Sequence, residues 1–193
     1  MEGDDGTARW VEAGLAELAR GGIDAVRVEV LAARLGVTKG GFYRRFKDRR
    51  ALLDALLDTW VRGRIAAIDQ QTELGKEGAG DRLRALIRLY SERVSQQGMA
   101  IELAIRQWAR SDPAAGAAAA KVDAARLKRV AHLYQQLGLG AREAEARAVL
   151  FYAFIFGQSL IFLGAPARRC ASLLATCADV LTRADAAMAT QQS

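Results

Sequence analysis

The stretch VLAARLGVTKGGFYRRF, residues 30–46, decides the fold. It reads as two short helices about a tight turn, one over about Val28–Leu35 and one over about Lys39–Phe46. Gly36 lies between them and takes a positive φ without steric cost, as a tight interhelical turn requires. Ala32 is small where the two helices must approach closely. Leu31, Leu35, Val37 and Phe42 are spaced to form the small core that joins them, and Thr38 stands where a helix N-cap belongs. Gly40 and Gly41 each cost roughly 1 kcal/mol relative to Ala in a helix. Paired glycines at a helix start make sense where the backbone must come very close to something. The layout is that of a helix-turn-helix, whose second helix presents its N-terminal end to a major groove.

Charge is concentrated on the same segment. Residues 27–50 hold eight basic side chains (Arg27, Arg34, Lys39, Arg44, Arg45, Lys47, Arg49, Arg50) against Glu29 and Asp48. That accounts for the whole net charge of +6, because the other 40 charged residues are balanced. A solvated helix face is usually mixed in sign, so a one-sign cluster points to a polyanion. Lys39, Tyr43, Arg44 and Lys47 surround the glycine pair with groups that bind phosphate oxygens or base edges.

Working outward, the composition favours helix throughout: Ala, Leu, Arg and Glu dominate and only Pro113 and Pro166 interrupt. Trp10, Val11, Leu15 and Leu18 form a first stripe, stopped by Gly21-Gly22. Asp48 caps a long fourth helix bearing Leu52, Leu53, Leu56, Leu57, Trp60 and Ile65, which fades into a glycine-rich break at 75–80. Asp81 is expected to cap a fifth helix, and Gly98 to precede a sixth over Met99–Arg110. Asp112-Pro113 opens a seventh that runs to Leu137. An eighth covers about Ala141–Leu163 and a ninth about Arg168–Ala189. No segment reads as a strand. The fold class is therefore all-α, with about nine helices: an N-terminal three-helix DNA-binding domain over 4–64 and a helical regulatory bundle over 65–193.

The segment LAARLGVTKGGFYRRFKDRRALLDALL, residues 31–57, closely resembles the N-terminal signature of the tetracycline-repressor-like (TetR) family of transcriptional regulators. Leu31-Ala32, Gly36-Val37-Thr38, Lys39-Gly40-Gly41 and Phe42-Tyr43 match its pattern in order and spacing. AIELAIRQWARSDP, residues 100–113, followed by a helix with Asp123 and Arg126, looks like a variant of that family's regulatory half. The resemblance implies that Thr38 caps the recognition helix and touches phosphate, that Lys39 reaches backbone or a base edge, and that Tyr43 donates to phosphate. Arg49 stands where the family often has a phosphate-binding lysine. Arg27 replaces a common Thr, and Arg45 a frequent His, so base preference stays open. Gly40, Gly41, Arg44 and Lys47 complete the expected DNA-contacting set. The resemblance further implies a cytoplasmic homodimeric repressor on palindromic double-stranded operator DNA, released by a small molecule.

Two further sets follow from helical position. Trp60, Tyr90, Trp108, Tyr134 and Phe151 are candidate lining for an apolar effector cavity, with Arg64, Arg106 or Gln107 as polar anchor and few other charges inside. Cys170, Leu174, Cys177, Leu181, Ala184 and Met188 form a narrow seam on the ninth helix. With Tyr152, Ile155 and Phe162 of the eighth they are the expected dimer interface.

Other classes lose support. VLFYAFIFGQSLIFLGA, residues 149–165, falls short of the roughly 20 residues that span a bilayer. Gln158 and Ser159 interrupt it, so it reads as a buried helix and no membrane is expected. The acidic N-terminus does not read as a signal peptide. His132 stands alone, and Cys170 and Cys177 lack a third ligand type nearby. They read as buried thiols, with no metal and no cofactor. No metal helix, phosphate loop or nucleophile elbow occurs, which argues against an enzyme. The competing reading is a helical adaptor that binds a protein partner through the basic hairpin.

Overall fold

Glycines and capping carboxylates divide the chain into helices. The computed structural model describes residues 3–72, 78–92, 96–160 and 167–183, and among these it has nine α-helices, one 3-10 turn and no strand. The order is α1 (Gly3–Gly21), the turn (Ile23–Ala25), α2 (Val28–Leu35), α3 (Lys39–Tyr43) and α4 (Arg49–Thr72). Then come α5 (Gly78–Glu92), α6 (Gln96–Trp108), α7 (Pro113–Gln136), α8 (Ala141–Leu160) and α9 (Ala167–Thr182).

Local chemistry explains the breaks. Gly36 has φ 66° and ψ 32°, and its N–H donates to Ala33 O at 3.2 Å while Val37 N–H donates to Ala32 O at 3.0 Å. This pair of bonds is the Schellman closure, which satisfies the last carbonyls of α2. Asp48 Oδ1 accepts from Ala51 N–H at 2.9 Å, and Asp112 Oδ1 accepts from Ala114 and Ala115 N–H at 2.9 and 3.1 Å. Both aspartates therefore cap as their positions suggest. Asp81 does not cap α5: that helix begins at Gly78, leaving Asp81 in the first turn beside Arg84 at 3.2 Å. Helix α6 begins at Gln96, ahead of Gly98, and α3 closes at Tyr43 instead of reaching Phe46.

The chain packs as two compact units, one drawn from Met1–Ala66 and Val94–Asp123, the other from Ala67–Arg93 and Ala124–Ser193. Helices α4 and α7 each contribute residues to both. In the first unit α1 packs on α2 and α6, and α2 on α3. Trp10 meets Phe42 edge-on at 5.3 Å, and Phe42 stacks on Phe46 at 5.3 Å. Leu18, Leu31, Leu52 and Leu56 are fully buried around them. A Cβ on Gly14 would come within 2.8 Å of the Leu56 side chain, so glycine there lets α1 and α4 approach. The hairpin core differs from expectation in one respect: Val37 is 42% exposed and Leu35 only half-buried, because Trp10 and Phe46 fill the space against Phe42.

In the second unit α5 packs on α8 and α9, and α8 on α9. Leu83, Leu86, Tyr134, Phe151 and Ile155 are buried there. Tyr134 donates its hydroxyl to Leu181 O at 2.9 Å, joining α7 to α9. Its phenol is pushed up to about 12, by burial first, with the Arg147 charge acting the other way.

Candidate nucleic-acid interface

The rigid block of Trp10, Phe42 and Phe46 fixes α3, and α3 sets the direction of the polar residues around it. Gly40 is exposed, and a Cβ there would lie 3.6 Å from Thr38 Oγ1. Gly41 is buried, yet an added Cβ would come no nearer than 3.9 Å to Val37. Both distances are ordinary van der Waals contact, so nothing inside the protein requires either residue to be glycine.

The basic residues sort into two groups. Five are engaged within the chain. Arg34 pairs with Glu17, Lys39 with Glu29 at 2.8 Å, and Arg50 with both Asp54 at 2.8 Å and Asp112 at 2.5 Å. Arg45 donates to Gly41 O at 3.1 Å. Arg49 donates through Nε to Val26 O and through Nη2 to Ile23 O, both at 2.7 Å. The Lys39 hydrogen bond holds the Glu29 carboxyl below its ordinary range, and the same bond raises the Lys39 ammonium. The side chains of the other three, Arg27, Arg44 and Lys47, are exposed and make no hydrogen bond or ion pair among the described residues, though the Arg27 charge helps to lower Glu29. Tyr43 is 61% exposed, its ring edge-on to Phe42 at 5.1 Å.

Thr38 occupies the N-cap position of α3 with extended backbone, φ −82° and ψ 158°, but its side chain makes no cap hydrogen bond. The Gly41 N–H is satisfied instead by Thr38 O at 2.9 Å. The hydroxyl is thus exposed and not used in capping.

The effector candidates are all buried but are not gathered in one unit: Trp60 and Trp108 belong to the first, Tyr90, Tyr134 and Phe151 to the second. Tyr90 donates to Gln71 Oε1 at 3.2 Å, while the Trp60 indole N–H is buried without an acceptor among the described residues. The expectation of few interior charges is overturned. Glu102 is fully buried between Arg64 at 3.3 Å and Arg106 at 3.0 Å, and Arg106 also meets Asp123 at 2.5 Å. Burial by itself lowers Arg106, but the hydrogen bond to Asp123 and the charges of Glu102 and Asp123 outweigh it and raise it. Gln107 is exposed. In the second unit the Arg126 side chain is 1% exposed, its Cζ 5.4 Å from the Phe156 ring centre and 5.9 Å from that of Tyr152. The available signal for the first site was the i,i+4 pair Glu102 and Arg106 set among apolar residues; for Arg126 it was only the resemblance of its helix to the regulatory half of the family, which says nothing of its burial.

Of the expected dimer residues, Tyr152 and Ile155 are buried within the second unit, Leu174 and Leu181 are half-buried, and Cys177 is exposed, not buried as a structural thiol would be. Phe162, Ala184 and Met188, and the side chain of Cys170, lie outside the described residues. The large apolar residues that do face outward on α8 and α9 are Val149, Leu150, Leu173 and Val180. His132 is exposed on α7, its Nε2 3.1 Å from Gln136 Nε2. Among the described residues no group of potential ligands is placed to hold a metal, and no helix is long and apolar enough to cross a membrane.

Residues 11–56 match the family described as bacterial regulatory proteins, tetR family. No curated protein sequence matches the chain. Solved structures of similar fold include a TetR-family transcriptional regulator from Agrobacterium tumefaciens, with TM-score 0.77 and 13% identity over 94% of this chain and 100% of that one. A TetR-family regulator from a Rhodococcus species has TM-score 0.68 and 23% identity, over 93% and 99%. A transcriptional regulator from Saccharomonospora viridis, solved with choline, has TM-score 0.71 and 17% identity, over 91% and 96%. At these identities the structures speak for the fold, and the sequence match speaks for the hairpin. Residues 11–56 are thus similar to the N-terminal module of the tetR family of bacterial regulatory proteins, and the chain as a whole shares the fold of solved regulators of that family.

Proposed function

We propose that the chain is a sequence-specific DNA-binding repressor whose α2–α3 hairpin reads double-stranded operator DNA. One observation carries this reading: the side chains of three exposed cations of the hairpin segment, Arg27, Arg44 and Lys47, make no hydrogen bond or ion pair among the described residues, and the segment holds two glycines that the protein's own packing does not require. Unspent positive charge around a close-approach surface is the electrostatic footprint of a nucleic-acid site. Thr38, Lys39, Tyr43 and Arg49 supply further donors, with Lys39 exchanging Glu29 for phosphate on binding. Phosphate contacts fix register, and Lys39 and Arg44 are our candidates for base edges.

The subunit works as a homodimer through α8 and α9, whose outward Val149, Leu150, Leu173 and Val180 form the apolar contact. Two recognition helices then meet successive major grooves about 34–36 Å apart on a palindromic site. A small molecule relieves repression, and the buried, unpartnered Trp60 indole N–H is the donor it satisfies.

The test is a salt titration of duplex DNA binding. Log K should fall with log salt by about 0.9 for each phosphate neutralised. An Arg44→Gln, Lys47→Gln double variant should lose affinity and nearly two units of slope. A wild-type protein with no salt-dependent affinity for duplex DNA would leave the adaptor reading standing in its place. For the effector, tryptophan quenching with and without DNA must give different affinities, since coupling is reciprocal.

A further inference from the structure

The hairpin is only one wall of a groove of about 310 Å³; the other wall is α1, which contributes Gly6, Arg9 and Trp10 opposite Val37, Thr38, Gly41 and Arg44. We propose that Arg9 is a further DNA-backbone contact, so that the footprint extends from the helix-turn-helix onto α1. The inference rests on the DNA-binding reading above.

Three observations support it. The charged residues lining the groove are Arg9, Arg44 and Arg45, with no carboxylate among them, so its chemistry selects an anion. Arg9 is exposed and has no hydrogen bond or ion pair among the described residues. A guanidinium in that condition offers two parallel N–H donors to a phosphate. Finally, the wall is fixed in place. Trp10, the next residue, is 3% exposed and locked edge-on against Phe42 of α3 at 5.3 Å. One turn earlier, a Cβ on Gly6 would collide with the Arg45 guanidinium, so glycine there lets Arg45 lie across the groove floor and bond Gly41 O. Arg9 is therefore held in register with Arg44 instead of ranging freely from a loose terminus. The charge pattern of the sequence hides it, because it lies outside the 27–50 cluster, after the acidic run of Glu2, Asp4 and Asp5.

The experiment uses the full chain, fluorescein-labelled duplex DNA of mixed sequence, and anisotropy titrations at several KCl concentrations. Arg9→Gln should lower the salt slope by about 0.9, with an affinity loss of about eightfold at 0.1 M salt, the factor that slope implies. Arg9→Lys should recover most of the slope. Arg88→Gln, an exposed arginine of the second unit, should leave it unchanged. If Arg44→Gln lowers slope and affinity while Arg9→Gln matches wild type, the inference is wrong and the DNA reading stands. If Arg88→Gln lowers the slope as far as Arg9→Gln does, the effect is net charge and the contact is again disproved. If neither wild type nor any variant binds duplex DNA, the underlying reading fails as well.

Discussion

The recognition hairpin and the contact around Glu102 both concentrate charge, and they treat it in opposite ways. In the hairpin, the side chains of Arg27, Arg44 and Lys47 face water and make no ion pair among the described residues. Around Glu102, two arginines and two carboxylates from α4, α6 and α7 neutralise one another, and one of the carboxylates is wholly out of solvent. Buried ions fix geometry because removing either partner strands the other. Exposed, unmatched ions contribute little to folding and remain available to a partner. The difference identifies which charges hold the subunit together and which are left for something outside it.

The largest expected effect breaks the buried side. Glu102→Ala leaves Arg64 and Arg106 with an uncompensated charge and should cost about 3 kcal/mol. Urea unfolding would show it as a lower midpoint with unchanged slope. A loss below about 1 kcal/mol would mean that the arginines simply turn to water, and the contrast would collapse. Next is a buried group that stays neutral. Tyr134 has its folded pKa raised to about 12 from 10.0, so the unfolded chain ionises first. Its contribution is intact below pH 10 and is lost as pH climbs towards 12, by a few kcal/mol at most. Tyr134→Phe should flatten that alkaline loss; an unchanged alkaline profile would show that the phenol opens freely to solvent.

The outward side should behave differently. Gly40→Ala should stabilise the fold by up to about 1 kcal/mol, since alanine favours helix and the added Cβ meets only ordinary contact. The same variant should bind DNA less tightly, because the methyl group stands on the approach surface. A variant gaining both stability and affinity would show that close approach to DNA does not account for the glycines. The smallest effect is at Glu29→Gln, which frees the exposed Lys39. Thermal stability should hardly change, whereas DNA affinity should rise a few-fold with a slightly steeper salt dependence.

Much of this is legible in the sequence alone. Gly36 and the capping aspartates Asp48 and Asp112 announce their turns because each acts through the backbone within a few residues. The hairpin's charge is countable for the same reason. What the sequence conceals is partnership at long range. Nothing near Arg34 announces Glu17, and nothing near Arg50 announces Asp112, 62 residues away. Val37 reads as core because only the tertiary packing of Trp10 reveals that its place is taken. On α9 the spacing of 174, 177 and 181 carries the helical period but does not say how exposed each position is: Cys177 is exposed, while Leu174 and Leu181 are half-buried. The outward residues Leu173 and Val180 lie one position earlier than Leu174 and Leu181, a rotation of about 100°.

One bond pair has a mechanical meaning. Arg49 opens α4 and clasps the carbonyls of Ile23 and Val26 with two arms of one rigid fork. The first turn of α4 and the bend leading into α2 are thereby riveted. If that turn of α4 shifts, the bend cannot stay behind unless both hydrogen bonds break together. The joint therefore transmits displacement as a stiff linkage does, with little slack to absorb it. A lysine, whose donors sit on one rotating head at the end of a flexible stem, would hold those carbonyls without the fixed geometry of the fork and would turn the rivet into a hinge.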